Sequence, residues 1–299
     1  MAASAPDTLL KAQTKPPRAN IVGVGVHATD LSGAVEALEQ HILEPRKGYV
    51  CVTSVHGIME ARRSADFHRI LTRASLVVAD GMPLVWLARL QKHKVGRVFG
   101  PDLMWQLCAR SVARKFTHFL YGGKPGVAED LRANLEKRFP GIRVVGTYTP
   151  PFRPLNDAEL REVRNIIHKA QPDIIWVSLS TPKQERFMAE MIDGLECKLM
   201  VGVGAAFDLH TGRLKDAPEW MKQCGMQWLH RLCQEPRRLW KRYLLNNPGF
   251  LWQAGLQLSG MRKYELPCAS SSSHPPVVER LHAHVNPRPV SFSDCRDLQ

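Results

Sequence analysis

The sequence predicts an α/β fold: a mainly parallel sheet with helices on both faces, followed by a helical C-terminal appendage. Three observations predict it. Short apolar runs alternate with helix-length segments between about residues 20 and 203. The strand-like runs then stop, and from about residue 213 the chain reads as helical and basic. Both ends are rich in Pro with Ala, Lys or Ser and lack apolar periodicity. The boundaries that follow are a disordered leader at 1–18, an α/β core at 19–212, a basic helical appendage at 213–264 and a disordered tail at 265–299.

Within the core, the strand-like runs are Ile21–Val26, Tyr49–Thr53, Leu76–Ala79, His118–Tyr121, Arg143–Thr147, Ile174–Ser178 and Leu199–Val203. Helical spacing spans Leu31–Ile42, Ile58–Arg63, Ala65–Thr72, Leu84–Leu90, Asp102–Arg114, Val127–Phe139, Asp157–Ala170 and Lys183–Asp193. Asp157 opens its helix after a proline-rich loop, and Pro172 follows the end of that helix. In the appendage, residues 213–242 hold eight Lys or Arg against three Asp or Glu. Trp220, Trp228, Trp240 and Trp252 lie in or near this segment, and Pro236 divides it into two helices. Arg238 and Arg242, four residues apart, are expected on one helical face; Trp240 and Leu244 form a second such pair.

The net charge of +13 calls for an anionic partner, whether nucleic acid, anionic lipid or a phosphorylated substrate. The seven cysteines are scattered without a C-x-x-C pair, so neither a disulfide framework nor a zinc site is indicated, and a reducing compartment fits best. No signal peptide is expected from Met1–Asn20, and the best apolar run, Leu199–Phe207, is too short to span a bilayer.

Candidate chemistry collects where strands end. Asp80 follows Leu76–Ala79, at the carboxyl end of a buried strand, where open α/β sheets bind ligands. Gly81 is read as permitting a tight turn and Pro83 as starting the next helix, with helix capping by Asp80 as the plain alternative. Thr53 ends another strand and is followed by His56, a general base or a structural donor. Tyr121 to Gly126 joins a strand to a helix; Gly122 and Gly123 offer main-chain N–H groups beside Lys124, a phosphate-favouring arrangement or a plain turn. Gln184 and Glu185 open the helix after Ile174–Ser178, and Gln184 can hydrogen-bond a sugar or a base. Gly23-Val24-Gly25 and Gly202-Val203-Gly204 lack the third glycine of a dinucleotide fingerprint. No D-x-D occurs, so a diphosphate would be neutralised by cationic side chains and helix N-termini.

Taken together, the stretches Val52–Glu60, Ala79–Trp86, Arg97–Leu103, Leu120–Gly126, Thr181–Glu185, Gly202–Asp208, Ala217–Trp220 and Arg231–Tyr243 resemble, in order, the WecG/TagA/CpsF family of bacterial glycosyltransferases. The resemblance covers about residues 20–260. It implies a Rossmann-like body and an inverting transfer from a UDP-sugar, N-acetylmannosamine or another hexose or hexosamine, to a polyprenyl-diphosphate-linked acceptor. It implies no cofactor and no metal. It places the catalytic aspartate at Asp80 and polar site positions at Thr53, Arg97 and Gln184. It assigns diphosphate binding and membrane docking to Arg231, Arg238 and Arg242. The chain departs from the teichoic-acid type at Val55, where an Asn is usual; His56 follows it and stands as a substitute. The expected partners are the two substrates and the cytoplasmic face of the inner membrane, without nucleic acid and with a homo-oligomer left open. Two other readings stand beside this one: a nicotinamide-dependent oxidoreductase and a basic nucleic-acid-binding protein.

Overall fold

The computed structural model describes residues 16–267. Six strands form one parallel sheet: β3 (Gly48–Thr53), β4 (Leu76–Ala79), β5 (Thr117–Gly122), β6 (Arg143–Tyr148), β7 (Ile174–Ser178) and β8 (Leu199–Gly202), in the order β4-β3-β8-β7-β5-β6. Every residue of β3, β4, β5, β7 and β8 is buried. That is why runs such as Leu76-Val77-Val78 and Ile174-Ile175-Trp176 are continuously apolar: both faces of the sheet are covered. β6, on the edge, is only partly covered.

The helices fall on two sides. α1 (Leu31–Leu43), α5 (Gly100–Arg114) and α6 (Val127–Arg138) pack one face through Leu38, Leu107 and Leu131. α2 (Val55–Arg63), α3 (Ala65–Arg73), α4 (Met82–Leu90), α7 (Asp157–Ala170) and α8 (Lys183–Met191) pack the other through Ile58, Phe67, Leu84, Ile167 and Met188. Local signals set their starts. Asp30 caps α1 at the Gly33 N–H, 2.9 Å away, and Asn156 with Glu159 closes a capping box on α7.

The run Ile21–Val26 departs from expectation. It is no strand of the main sheet but an antiparallel hairpin, β1 (Arg18–Ile21) with β2 (Val24–His27). Val22 and Gly23 have φ of 51° and 87°, so the two-residue turn is of the mirror-image kind that suits hairpins. The apolar run straddles this turn, which hides it from a reading based on hydrophobicity. Gly23-Val24-Gly25 therefore belongs to a hairpin and not to a strand-to-helix phosphate turn. Arg18, assigned to the leader, is the first residue of β1. Residues 1–15 of the expected leader and 268–299 of the expected tail lie outside the described residues.

Past the sheet the chain is helical: α9 (Ala206–His210), α10 (Glu219–Gln223), α11 (Gln227–Gln234) and α12 (Pro236–Leu258). α12 packs on α2 and buries Leu239, Asn246, Phe250 and Ala254 along one stripe. Its far end is tied to the hairpin: Gln257 donates to the Asn20 carbonyl at 2.8 Å and accepts from the Val22 N–H at 2.9 Å. Asn20 in turn donates to the Tyr264 carbonyl at 2.6 Å.

Candidate active site

Parallel pairing of Thr53 with Ala79 brings the next residue, Asp80, beside the end of β3. The Asp80 N–H donates to the Thr53 carbonyl at 2.8 Å. Thr53 is buried, whereas the Asp80 side chain keeps 30% of its surface exposed. Asp80 does not cap the following helix: the N-cap of α4 is Gly81, and no side chain caps it. Gly81 has φ −92°, an ordinary value, so the turn does not require glycine as expected. A Cβ there would meet Pro83 and Leu84 only at 3.7–4.0 Å.

Arg97 fixes Asp80 from one side. Its Nε donates to the Asp80 carbonyl at 2.6 Å and its Nη2 to Oδ1 at 3.3 Å, while the guanidinium lies 4.5 Å from the Phe99 ring centre. The same Nη2 donates to Gln227 at the start of α11. Burial pushes the Asp80 carboxyl above its ordinary range, and Arg97, Arg231 and Arg242 pull it back. Asp80 is thus set among three arginines, of which Arg231 also pairs with Glu235 and Arg242 also feels the charge of Glu185.

The arginines of the appendage differ in environment. Glu235 accepts from Arg231 at 2.9 Å and from Arg238 at 2.5 Å. Arg238 and Arg242 lie one turn apart on α12, but Arg238 is exposed while Arg242 is largely withdrawn from solvent. Burial lowers the Arg242 pKa, and among the described residues its Nε meets no hydrogen-bond partner. Tyr243, next along, feels the charges of Arg242, Arg231 and Asp80.

His56 sits at the start of α2. Its Nδ1 accepts from Asn246 Nδ2 at 3.1 Å, and the ring also hydrogen-bonds the Thr181 main chain. Burial, then the charge of Arg242, lowers its pKa to about 4, so the ring is neutral near pH 7. Asn246 is itself buried, accepting from Arg63 Nη2 at 2.7 Å and donating to the Arg242 carbonyl at 2.6 Å.

Gln184 and Glu185 reach the same sheet edge but point inward. Gln184 is 2% exposed; its Oε1 accepts from the Gly204 N–H at 3.1 Å and its Nε2 donates to Glu185 at 3.1 Å. It shapes the loop after β8 and has little surface to offer a sugar, contrary to expectation. Glu185 Oε1 also accepts from Thr181 at 2.8 Å, and its Oε2 is buried without a partner among the described residues. Gly122 and Gly123 likewise serve the fold. A Cβ on Gly122 would lie 2.5 Å from the Ser178 carbonyl, and the Gly123 N–H already donates to that oxygen at 3.1 Å. That N–H is not free for phosphate, because β5 and β7 meet there. Lys124 is different: with Asp208, Arg213, Leu214 and Glu235 it lines a cavity of about 310 Å³. Among the described residues no three His, Cys, Asp or Glu side chains gather to hold a metal ion.

The family model for the glycosyl transferase WecG/TagA/CpsF family matches residues 19–264. The chain belongs to that family. The match takes in the whole sheet, the Asp80–Arg97 pair and α10–α12. Two curated relatives are each 29% identical over 218 residues, 72% of this chain. They come from Bacillus subtilis and Bacillus spizizenii, and the match spans 83% and 82% of their lengths. Both are named N-acetylglucosaminyldiphosphoundecaprenol N-acetyl-beta-D-mannosaminyltransferase. The motifs of this transferase single out Asp80, Arg97 and the appendage arginines. The motifs reach as far as Tyr243 but pass over Gln227 and Asn246, which sit in helical stretches with no motif to mark them; only their contacts reveal them.

Proposed function

We propose that this glycosyltransferase moves N-acetylmannosamine from its UDP derivative to N-acetylglucosaminyl diphosphoundecaprenol, with inversion at the anomeric carbon. The sugar and the lipid acceptor are those in the names of both relatives. The observation that carries the mechanism is Asp80, partly exposed at the sheet edge and faced by Arg97, Arg231 and Arg242. In a single displacement, an acceptor hydroxyl attacks the anomeric carbon from the side opposite UDP. The new C–O bond forms as the bond to the UDP oxygen breaks, UDP leaves with the electron pair, and Asp80 takes the hydroxyl proton. General-base help of this kind contributes about 10²–10⁴-fold. Guanidinium groups suit the departing diphosphate, which they can hold bidentately without a metal ion.

The acceptor's lipid requires the enzyme to work at a membrane surface. Among the described residues no helix is long and apolar enough to cross a membrane. α12 instead carries exposed Trp240, Leu244, Leu245, Leu251 and Trp252 beside exposed Arg237, Arg238 and Lys241. Aromatic and aliphatic side chains mixed with cations suit the interface of an anionic leaflet, where each cation contributes about 1 kcal/mol. We read this face as the peripheral contact with the cytoplasmic leaflet. The deciding experiment offers a panel of UDP-sugars with a polyprenyl-diphosphate N-acetylglucosamine acceptor and reads the products by mass spectrometry. Product from UDP-N-acetylmannosamine alone supports the proposal; transfer from another donor only, or from none, overturns it.

A further inference from the structure

Gln227 lies 130 residues from Arg97 in sequence, yet its side-chain oxygen accepts from Arg97 Nη2, the same nitrogen that reaches Asp80 Oδ1. The orientation of the amide is fixed from its other end. Gln227 Nε2 donates to Asp216 Oδ1 at 3.0 Å, and a carboxylate can only accept, so Oε1 must face the arginine. Asp216 is anchored in turn: its Oδ1 accepts from the Ala217 N–H at 2.8 Å and its Oδ2 lies 2.7 Å from Lys222 Nζ. A relay of side chains thus runs from the loop before α10 to Asp80.

We propose that Gln227 is a positioning residue of the transferase: it holds Arg97 Nη2 back from a closed ion pair with Asp80 and so keeps the carboxylate a competent base. Two features support this. The Nη2–Oδ1 separation, 3.3 Å, is long for a charge-assisted bond, while the Nε contact to the Asp80 carbonyl is short at 2.6 Å. The guanidinium is therefore docked against the main chain of Asp80 but shared at its tip. A neutral amide is suited to the task, since it accepts from the arginine without cancelling the charge that a diphosphate needs. The charged and titratable groups facing Asp80 are Arg97, Arg231, Arg242 and Tyr243, and Asp102 faces Arg97 from α5. None of the others shares the Nη2 contact.

This inference rests on the transfer reaction proposed above, and its test separates the two. Full-length wild type, Gln227→Ala and Gln227→Glu are compared. The pH dependence of kcat/KM is measured with UDP-N-acetylmannosamine and a polyprenyl-diphosphate N-acetylglucosamine acceptor. In parallel, the Asp80 carboxyl is titrated by ¹³C NMR, assigned with Asp80→Asn. In Gln227→Ala the ion pair closes, the Asp80 midpoint and the acid limb move down by about 0.5–1 pH unit, and kcat falls. In Gln227→Glu the added carboxylate draws Arg97 away and repels Asp80, and both midpoints move up by a similar amount. Shifts of opposite sign are the expected result. Both variants keeping the wild-type Asp80 midpoint, or both moving it the same way, would overturn the role for Gln227. An inactive wild type overturns the reaction instead, and the NMR titration still decides the role.

Discussion

Asn246 Nδ2 lies 3.1 Å from His56 Nδ1, joining α12 to the first turn of α2 across 190 residues of sequence. The same amide group donates to the Arg242 carbonyl one turn back, and its oxygen accepts from Arg63. The helix that carries Arg242 is thereby seated against the helix that follows Thr53. Asn246→Ala should leave the Arg63 guanidinium without its acceptor and cost about 1–3 kcal/mol of stability. Denaturant unfolding at pH 7 measures it; a change below about 0.5 kcal/mol would show that the node is dispensable.

Asp80→Asn removes the proton acceptor while keeping the size of the side chain. Turnover should fall about 10²-fold or more, with folding and UDP binding nearly unchanged. The assay is steady-state transfer beside a thermal melt, and near-wild-type turnover would remove Asp80 from the chemistry. In the wild type the carboxyl is raised by burial, so kcat/KM should fall as the pH drops through a midpoint above the ordinary aspartate value of 3.8.

Gln184→Ala is expected to act through the fold first. It leaves the Gly204 N–H and one bond of Glu185 unsatisfied in a buried place, for about 1–3 kcal/mol of lost stability. Donor use should weaken only as far as the Gly204 loop shifts. An unchanged melting point combined with a raised KM for UDP-sugar would return Gln184 to direct substrate contact.

The arginines should separate by environment. Arg238 is exposed and shares Glu235 with Arg231, so Arg238→Ala should cost little in kcat and show mainly as weaker binding to anionic vesicles. Arg242 is withdrawn beside Asp80, and Arg242→Ala should lower kcat/KM for the lipid acceptor or donor far more than it lowers vesicle binding. Vesicle sedimentation and transfer kinetics on the same samples make the comparison. Equal effects of the two changes on both readouts would refute it. EDTA should leave transfer unchanged if these cations serve the diphosphate, whereas loss of activity restored by Mg²⁺ would refute the metal-free reading.

Acid should destabilise the fold through two imidazoles, His118 buried and His56 half-buried. His56 and His118 have pKa values lowered to about 4 by burial, against 6.5 when free. Between those values the unfolded chain takes up protons that the folded chain does not, so stability falls as pH drops from about 6.5 toward 4. His56→Gln should flatten part of that loss in unfolding experiments at pH 7 and pH 5. An identical slope would mean that His56 is already accessible to protons in the folded state.

The parallel sheet, most of the helices on its two faces and the placement of Asp80 at a strand end are legible in the residues alone. These features are local: continuous apolar runs, 3.6-residue spacing and caps lie within a dozen residues of one another, and strand ends converge on one edge once the strands are parallel. What stands around Asp80 comes from long-range packing. The hairpin turn at Val22-Gly23 lies inside an apolar run, so hydrophobicity could not mark it. Gly123 and Gln184 look like ligand contacts in a motif, yet the meeting of β5 with β7 and the packing of α8 on the loop after β8 claim their polar groups. Arg97–Gln227 and His56–Asn246 join residues 130 and 190 apart. No periodicity links such positions; they meet because α12 packs on α2, burying Leu239, Phe250 and Ala254, and α11 packs on α12. Apolar packing fixes that return, and the polar contacts at the site follow from it.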